Sequence, residues 1–279
     1  YKTISGGTFQ NTCSVENYGT INGNGIFAGI VTNNRFISGG TFQSTSNVIN
    51  GDGGTISNGT FKGSVTNHNI ISGGAFQNGC SVTNYGTING NGIFNGEVSN
   101  NAATATIENG TFNGKVSNNQ GGKITNGTFE QEVINNAGGT ISNGTFEQEV
   151  INNDGGEISG GTFKGTVLNG NAIITGGTFA AGLSRNDGSV TGGAFNGKTG
   201  LTTKAHQVTV TNGSVLKVND EAPRKEDGTE DTAWDLYAYE GTTMTITAST
   251  EIFSLNGRLL GEGDHVNGNK NTVKFTMPD

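Results

Sequence analysis

Apolar residues recur at fixed places through the first 195 residues of the chain, separated by glycine and polar residues. An Ile or Val stands five or six residues before each phenylalanine of the repeat, and in most repeats a Val or Leu stands four residues after it. "GG" or "NG" separates the Ile from the Phe, and an Asn follows the Val. The phenylalanines set a period of 15 to 19 residues: Phe9, Phe27, Phe42, Phe61, Phe76, Phe94, Phe112, Phe129, Phe146, Phe163, Phe179 and Phe195.

This pattern predicts short strands joined by tight turns. In "TIS" the Ile points to one side of a strand and its neighbours point to the other. Gly and Asn favour the positive φ that sharp corners need. One repeat cannot bury its own Ile, Phe and Val, but repeats stacked at about 4.8 Å bury all three in continuous columns. We therefore expect an all-β fold, a parallel β-helix or β-solenoid of about twelve coils, over residues 1–203.

The stretch Ile4–Phe27 returns almost unchanged as Ile71–Phe94, 67 residues later. Four coils separate the two copies, so Cys13 and Cys80 should lie about 19 Å apart. A disulfide needs Cα atoms within about 7 Å, so both thiols are expected to be free. Strand alternation points both into their coils as packing residues, with a reactive or metal-binding role as the alternative.

The period ends after Phe195, and from about His206 short alternating runs of Val, Thr, Leu and Tyr appear between turn residues. Such runs predict a small antiparallel β-sandwich over residues 204–279. The motifs "YEGTTMTITAS" and "VKFTMPD" resemble the small Ig-like repeats of surface proteins from Gram-positive bacteria. Those repeats continue past "FTMPD" with a last strand, so the sandwich is expected to be truncated here.

The "GGTF" coils are similar to the β-helical passengers and stalks of bacterial adhesins. The two resemblances imply a protein that is secreted or displayed on a bacterial cell surface, and they imply no particular ligand. Composition agrees with a non-helical chain, because 49 of 279 residues are Gly and no Leu precedes Leu168. A net charge of −8 offers no basic surface for nucleic acid. There is also no run of about 20 apolar residues to insert into a membrane.

Parallel β-helices also include polysaccharide-degrading enzymes, which need convergent carboxylates. The one concentrated set comes from "FEQEV", which occurs twice and is expected to stack Glu130 on Glu147 and Glu132 on Glu149. These four residues are the candidate ligand-binding or Ca²⁺ site. Lys115 and Lys164 occur in the same columns, which favours the alternative of a solvated charged face. We expect no catalytic residue and no cofactor.

Aromatic residues give weaker candidates. Tyr18 and Tyr85 each follow an Asn in a turn and are candidate sugar contacts. Trp234 with its neighbouring tyrosines could form a sugar-stacking platform, although Trp on an alternating strand favours a core position. The acidic loop over residues 220–235 is either a Ca²⁺ loop or a solvated one. His68, His206 and His265 are expected to be isolated in register, with no nucleophile or metal constellation around them.

The leading hypothesis is a non-enzymatic adhesin-type protein for extracellular display, a rod-like spacer that binds a glycan or a host surface glycoprotein. A polysaccharide lyase or glycosidase is the alternative. Outward Thr beside several Ile residues also suggests an ice-binding array, but Phe36 and Lys123 interrupt that column. Stacked coils expose unpaired backbone at their ends. We therefore expect end-to-end self-association through the coil that contains Ile4 and Phe9.

Overall fold

The computed structural model describes residues 2–136, 138–153, 155–210, 213–225, 227, 229–250, 252, 254–255, 258–259 and 265–277. These residues form strands and turns, with no helix among them. The chain divides into two compact units, unit 1 over Tyr1–Gly144 and unit 2 over Thr145–Asp279. Parallel β-coils build unit 1 and the first part of unit 2, which confirms the predicted solenoid.

A coil contains three short strands, which we name the Ile, Phe and Val strands after the inward residue of each. The Ile strands of unit 1 are Thr3–Ile4, Thr20–Ile21, Ile70–Ile71, Thr87–Ile88, Thr106–Ile107, Lys123–Ile124 and Thr140–Ile141. Its Phe strands are Thr8–Phe9, Ile26–Phe27, Ala75–Phe76, Ile93–Phe94, Thr111–Phe112 and Thr128–Phe129. In two further coils the Ile and Phe strands join into one, Phe36–Phe42 and Thr55–Phe61. The Val strands are Ser14–Asn17, Ile30–Asn33, Asn47–Asn50, Ser64–Asn67, Val82–Asn84, Val98–Asn100, Val116–Asn118 and Val133–Asn135.

Unit 2 repeats the same arrangement. Its Ile strands are Glu157–Ile158, Ile173–Ile174 and Ser189–Val190, and its Phe strands are Thr145–Phe146, Thr162–Phe163, Thr178–Phe179 and Ala194–Asn196. Its Val strands are Val150–Asn152, Val167–Asn169 and Leu183–Asn186. No Val strand follows Ala194–Asn196 in the described residues, so the last coil is incomplete.

Parallel pairing between successive coils keeps like residues in register. Ile4 pairs with Ile21, and Val65 pairs with both Val48 and Val82. Val48 and Val82 stand six residues after their Phe, where the turn is two residues longer, so a fixed spacing of four does not find them. The column is nevertheless continuous, because the extra residues are accommodated in the turn.

The phenylalanines fill the core of each unit. From Phe27 onwards the rings of the repeat are fully buried. Successive rings in unit 1 stack nearly parallel, with centroids 4.5–4.9 Å apart. This distance is the spacing of hydrogen-bonded parallel strands, so backbone pairing sets the ring geometry. The inward assignment of the Phe column is confirmed.

The asparagines after the Val residues lie inside the coils and form a buried ladder. In unit 1 the Nδ2 of each donates to the Oδ1 of the next at 2.6–2.7 Å, from Asn17 to Asn135. The prediction that these residues supply positive φ is wrong, since the described non-glycine residues with positive φ are Gln120, Asn219, Asp220 and Asn267. The amides can be buried because stacking places an identical amide one coil away as a hydrogen-bond partner.

Glycine does supply the positive φ at the turn between the Ile and Phe strands. Gly110 has φ of 137° and Gly127 has φ of 131°. A Cβ at Gly110 would also lie 3.0 Å from the Phe112 ring. The turn therefore needs glycine for both conformation and space.

The C-terminal segment is antiparallel, as predicted. Val215–Val218, Thr243–Ala248, Asn269–Thr276 and His265–Val266 form a four-stranded sheet in that order, and Ser254–Leu255 pairs with Arg258–Leu259. Ala205–Gln207 pairs instead with Leu236–Tyr239, which also pairs antiparallel with the Phe strand Ala194–Asn196. The segment thus covers the free edge of the last Phe strand. The predicted boundary at residue 203 stays a prediction.

Candidate functional site

The two carboxylates of the first "FEQEV" lie on the outside of unit 1. Glu130 is exposed, and Glu132 is half-buried. The Nζ of Lys115 lies 3.2 Å from the Glu132 Oε1. Lys115 is the outward residue one coil before Glu132, so the pair forms across neighbouring Val strands.

The second set lies in unit 2 and is more enclosed. Lys164 Nζ is 2.8 Å from Glu147 Oε1, and Arg224 Nη2 is 3.9 Å from Glu147 Oε2. Arg224 comes from the C-terminal segment, where its backbone N–H donates to the carbonyl of Ala180. Burial raises the pKa of the nearby Glu221 carboxyl above its ordinary value, although Lys164 and Arg224 act to lower it.

These contacts favour the charged-face interpretation of the glutamates. Each of Glu132 and Glu147 has a lysine within ion-pair distance. Glu149 is half-buried. Glu130 and Glu132 belong to unit 1, and Glu147 and Glu149 belong to unit 2. The predicted stacking of the two sets on each other stays a prediction. No sequence pattern pointed to Arg224, which approaches Glu147 from 77 residues away along the chain.

The tyrosine candidates differ in their surroundings. Tyr18 is 62% exposed, and its hydroxyl donates to a Glu16 oxygen at 3.3 Å. Tyr85 is half-buried and stacks on His68, with ring centroids 5.2 Å apart and planes 10° apart. His68 therefore has an aromatic neighbour in register, and the expectation that no nucleophile or metal constellation surrounds it stays a prediction. His68 follows a ladder Asn, and Tyr85 follows the ladder Asn of the next coil. The repeat register could therefore have predicted that the two rings stack.

Trp234 and Tyr239 belong to the core of unit 2, which confirms the preferred interpretation of Trp234. Trp234 is 6% exposed, and its Nε1 donates to the carbonyl of Glu221 at 3.1 Å. In the acidic loop, Asp227 Oδ1 accepts hydrogen bonds from the Thr229 N–H and hydroxyl. Positions 226 and 228 of this loop lie outside the described residues. Within the described residues no three His, Cys, Asp or Glu side chains come together as a metal site.

The two cysteines are free. Cys80 is buried, and burial raises the pKa of its thiol to about 12. Cys13 is only half-buried. Both lie in the longer turns between Phe and Val strands, and Ser46 is buried at the equivalent place in a third coil. In all three turns the backbone N–H of this residue donates to the Gln carbonyl three residues before it.

A groove of about 540 Å³ opens on unit 1 at the corner between the Phe and Val strands. The longer turn that carries Cys80 and Ser81 lines one part of it, the shorter "NG" turns of the next two coils line another, and Gln131 of the coil after those also lines it. Asn95 and Asn113 lie along it, joined by a hydrogen bond from Asn113 Nδ2 to Asn95 Oδ1 at 2.7 Å. Glu97 also lines the groove.

The floor of the groove is backbone. A Cβ at Gly96 would overlap the carbonyl oxygen of Cys80, and one at Gly114 would overlap the carbonyl oxygen of Gly96. At these two positions glycine permits the short turn to lie directly on the preceding turn. The step from a long turn to short ones therefore leaves a depression bordered by amide and charged side chains.

Comparisons with protein-family models, with curated proteins and with solved structures found no match to this chain. Among the residues that the structure describes, none forms a helix with the length and apolarity needed to cross a bilayer.

Proposed function

We propose that the chain is a non-enzymatic structural protein for extracellular display, a spacer of the adhesin type whose outer surface binds glycans. The observation that carries this proposal is the division between inner and outer positions. In unit 1 the Val strands present the same inward pair, Val and Asn, in every coil. The outward residue before the Val varies between coils: it is serine at Ser64 and Ser81, then Glu97 and Lys115 in the next two coils.

Such a division suits a scaffold. The inward columns provide the stability, so outward residues can change without loss of the fold. An enzyme would instead need one set of outward side chains that converge on its substrate. Resemblance to adhesin stalks and to bacterial Ig-like repeats supports a location on the cell surface or outside the cell.

A glycan array and a product assay, run in parallel, test the proposal. The intact chain should bind one or more immobilised glycans or glycoproteins. Incubated with soluble polysaccharides, it should release no reducing or unsaturated sugar above a heat-inactivated sample. Sustained release of such sugar would overturn the proposal in favour of a polysaccharide lyase or glycosidase.

The location has its own test. An antibody against the chain should label intact, unpermeabilised cells of the organism that encodes it, or detect the protein in the culture medium. Labelling that requires permeabilisation would contradict extracellular display.

A further inference from the structure

We propose that the groove beside Asn95 and Asn113 is a binding site for a short, neutral oligosaccharide, an inference that rests on the proposed function and gives its glycan binding a location. The site crosses the turns of four successive coils of unit 1, from the turn of Cys80 to that of Gln131. At the spacing of parallel strands this is a length of about 14 Å.

The hydrogen-bonding groups favour a ligand rich in hydroxyl groups. An amide offers both donors and acceptors, and a carboxylate accepts two hydrogen bonds, so neighbouring amides and carboxylates suit adjacent sugar hydroxyls. Asn95, Asn113 and Glu97 all line the groove. Asn113 uses one amide hydrogen on Asn95 and is itself exposed, so its Oδ1 faces solvent-accessible space.

Charge argues for a neutral ligand. The charged side chains that line the groove are one carboxylate, Glu97, and one ammonium, Lys115, so the groove has no excess of positive charge. Lys115 is also within 3.2 Å of Glu132, so its ammonium is already balanced. A polyanion such as a uronate chain would find no excess positive charge here, and the protein carries a net charge of −8.

Shape agrees with a sugar chain. Gly96 and Gly114 carry no side chain, so a flat ring can approach the backbone of these two turns closely. The turn that carries Ser81 closes one end of the floor. Because the groove stays open to solvent along its length, we expect weak binding, with dissociation constants of about 1 mM.

The test titrates the full chain with cellotetraose, maltotetraose, mannotetraose and chitotetraose, followed through the side-chain amide signals in NMR. One or more of these neutral probes should shift the Asn95 and Asn113 signals. Asn113→Ala and Glu97→Ala should each weaken that binding about three- to tenfold. Tetragalacturonic acid, the charged probe, should bind more weakly than the neutral one.

Asn109→Ala is the matched control. Asn109 donates to Asn91 at 3.2 Å in a second amide pair, which does not line this groove. The control should bind the neutral probe as the unaltered chain does. Equal binding by the Asn113→Ala, Glu97→Ala and Asn109→Ala variants would reject the groove while leaving glycan binding elsewhere on the proposed scaffold.

Two other results would overturn the inference. The neutral probes are tested up to 10 mM, about ten times the dissociation constant expected above. Absence of any shift with all four at that concentration would reject the site. Tighter binding of tetragalacturonic acid at the same amides would reject the neutral ligand class. Release of sugar from a probe would contradict the proposed function, while the variants would still decide whether the groove binds.

Discussion

At the residue scale, the phenylalanine column and the asparagine ladder stabilise the coils by different means. Each Phe ring removes a large apolar surface from water and contacts the rings above and below it. Each Asn stabilises the interior only because every partner of its amide is present. The two columns should therefore respond differently to removal of a single member.

Replacement of one ring tests the Phe column. Phe112 is fully buried between Phe94 and Phe129, with centroid distances of 4.8 Å to each. Phe112→Ala should lower the free energy of unfolding by about 3–5 kcal/mol, measured by urea denaturation. Thr111→Ala, at the outward neighbour, should cost far less. Equal losses in the two variants would mean that inward and outward positions are misassigned.

Replacement of one amide tests the Asn ladder. Asn84 accepts from Asn67 and donates to Asn100, both at 2.7 Å, and it also donates to the carbonyl of Gly86. Asn84→Ala leaves buried amide groups without partners, so we expect a loss of about 2–4 kcal/mol in unfolding free energy. Asn89→Ala, in an exposed turn, is the control. A loss for Asn84→Ala no larger than for the control would show that the ladder contributes little.

The cysteines test burial through reactivity. Burial raises the pKa of Cys80 to about 12, from an ordinary value of 9.0. A thiol reagent at pH 8 should therefore modify half-buried Cys13 well before Cys80, as followed by mass spectrometry, and should modify both quickly in urea. Similar rates in the folded protein would contradict the burial of Cys80.

Because the pKa of the Cys80 thiol is raised, the free energy of unfolding should also depend on pH. The folded pKa lies above the unfolded one, so the stability that the protonated thiol contributes is complete below pH 9 and is lost as the pH rises towards 12. Cys80→Ser should remove this loss, and Ser46 shows that a buried Ser occupies the same turn position.

At the element scale, turn length and turn conformation decide what each coil presents outside. Long turns bury Cys80 and Ser46, whereas short turns lie flat on the turn before them. The groove forms where a long turn is followed by short ones. The strands remain in register across this change, so the turns vary without disturbing the core.

Gly110 tests the turn between the Ile and Phe strands. Its φ of 137° is a conformation that side chains with a Cβ rarely adopt, and an added methyl would crowd Phe112. Gly110→Ala should lower the unfolding free energy by about 1–3 kcal/mol in urea denaturation. Asn109→Ala, one residue earlier in the same turn, should have little effect. If both variants unfold like the unaltered chain, glycine is not required there.

At the scale of the whole molecule, each unit stacks its own coils, and unit 2 adds the antiparallel segment. There, Leu236–Tyr239 pairs with the last Phe strand, and the Tyr239 ring packs edge-on against Phe195 at 6.2 Å. The first coil of unit 1 is less enclosed. Ile4 and Phe9 are half-buried, whereas Ile21 and Phe27 in the next coil are fully buried.

Self-association through this first coil stays a prediction. Sedimentation of the chain should show dimers whose fraction rises with concentration, because strand edges and apolar residues of two first coils can pair. Ile4→Lys should abolish the dimers, and Thr3→Lys, which adds the same charge at an exposed outward position, should retain them. A chain that stays monomeric at all concentrations would show that the first coil is not an association surface.

The sequence by itself determined the coil and its stacking. Ile, Phe and Val recur at nearly constant spacing, and only a stack of coils buries all of them, so the columns follow from short-range pattern alone. The longer turns before Val48 and Val82 broke the spacing without changing the column, because turns absorb length differences outside the core.

Only the tertiary structure decided where polar side chains go. Asn is common in turns, so its burial in a ladder became evident only when the amides of successive coils faced each other. The same is true of Arg224, which approaches Glu147 from the C-terminal segment, and of the groove beside Asn113. The Asn residues do recur in the sequence, but their period does not show whether the side chains are buried or exposed. The contacts of Arg224 and of the groove join residues from different coils or segments and leave no periodic mark.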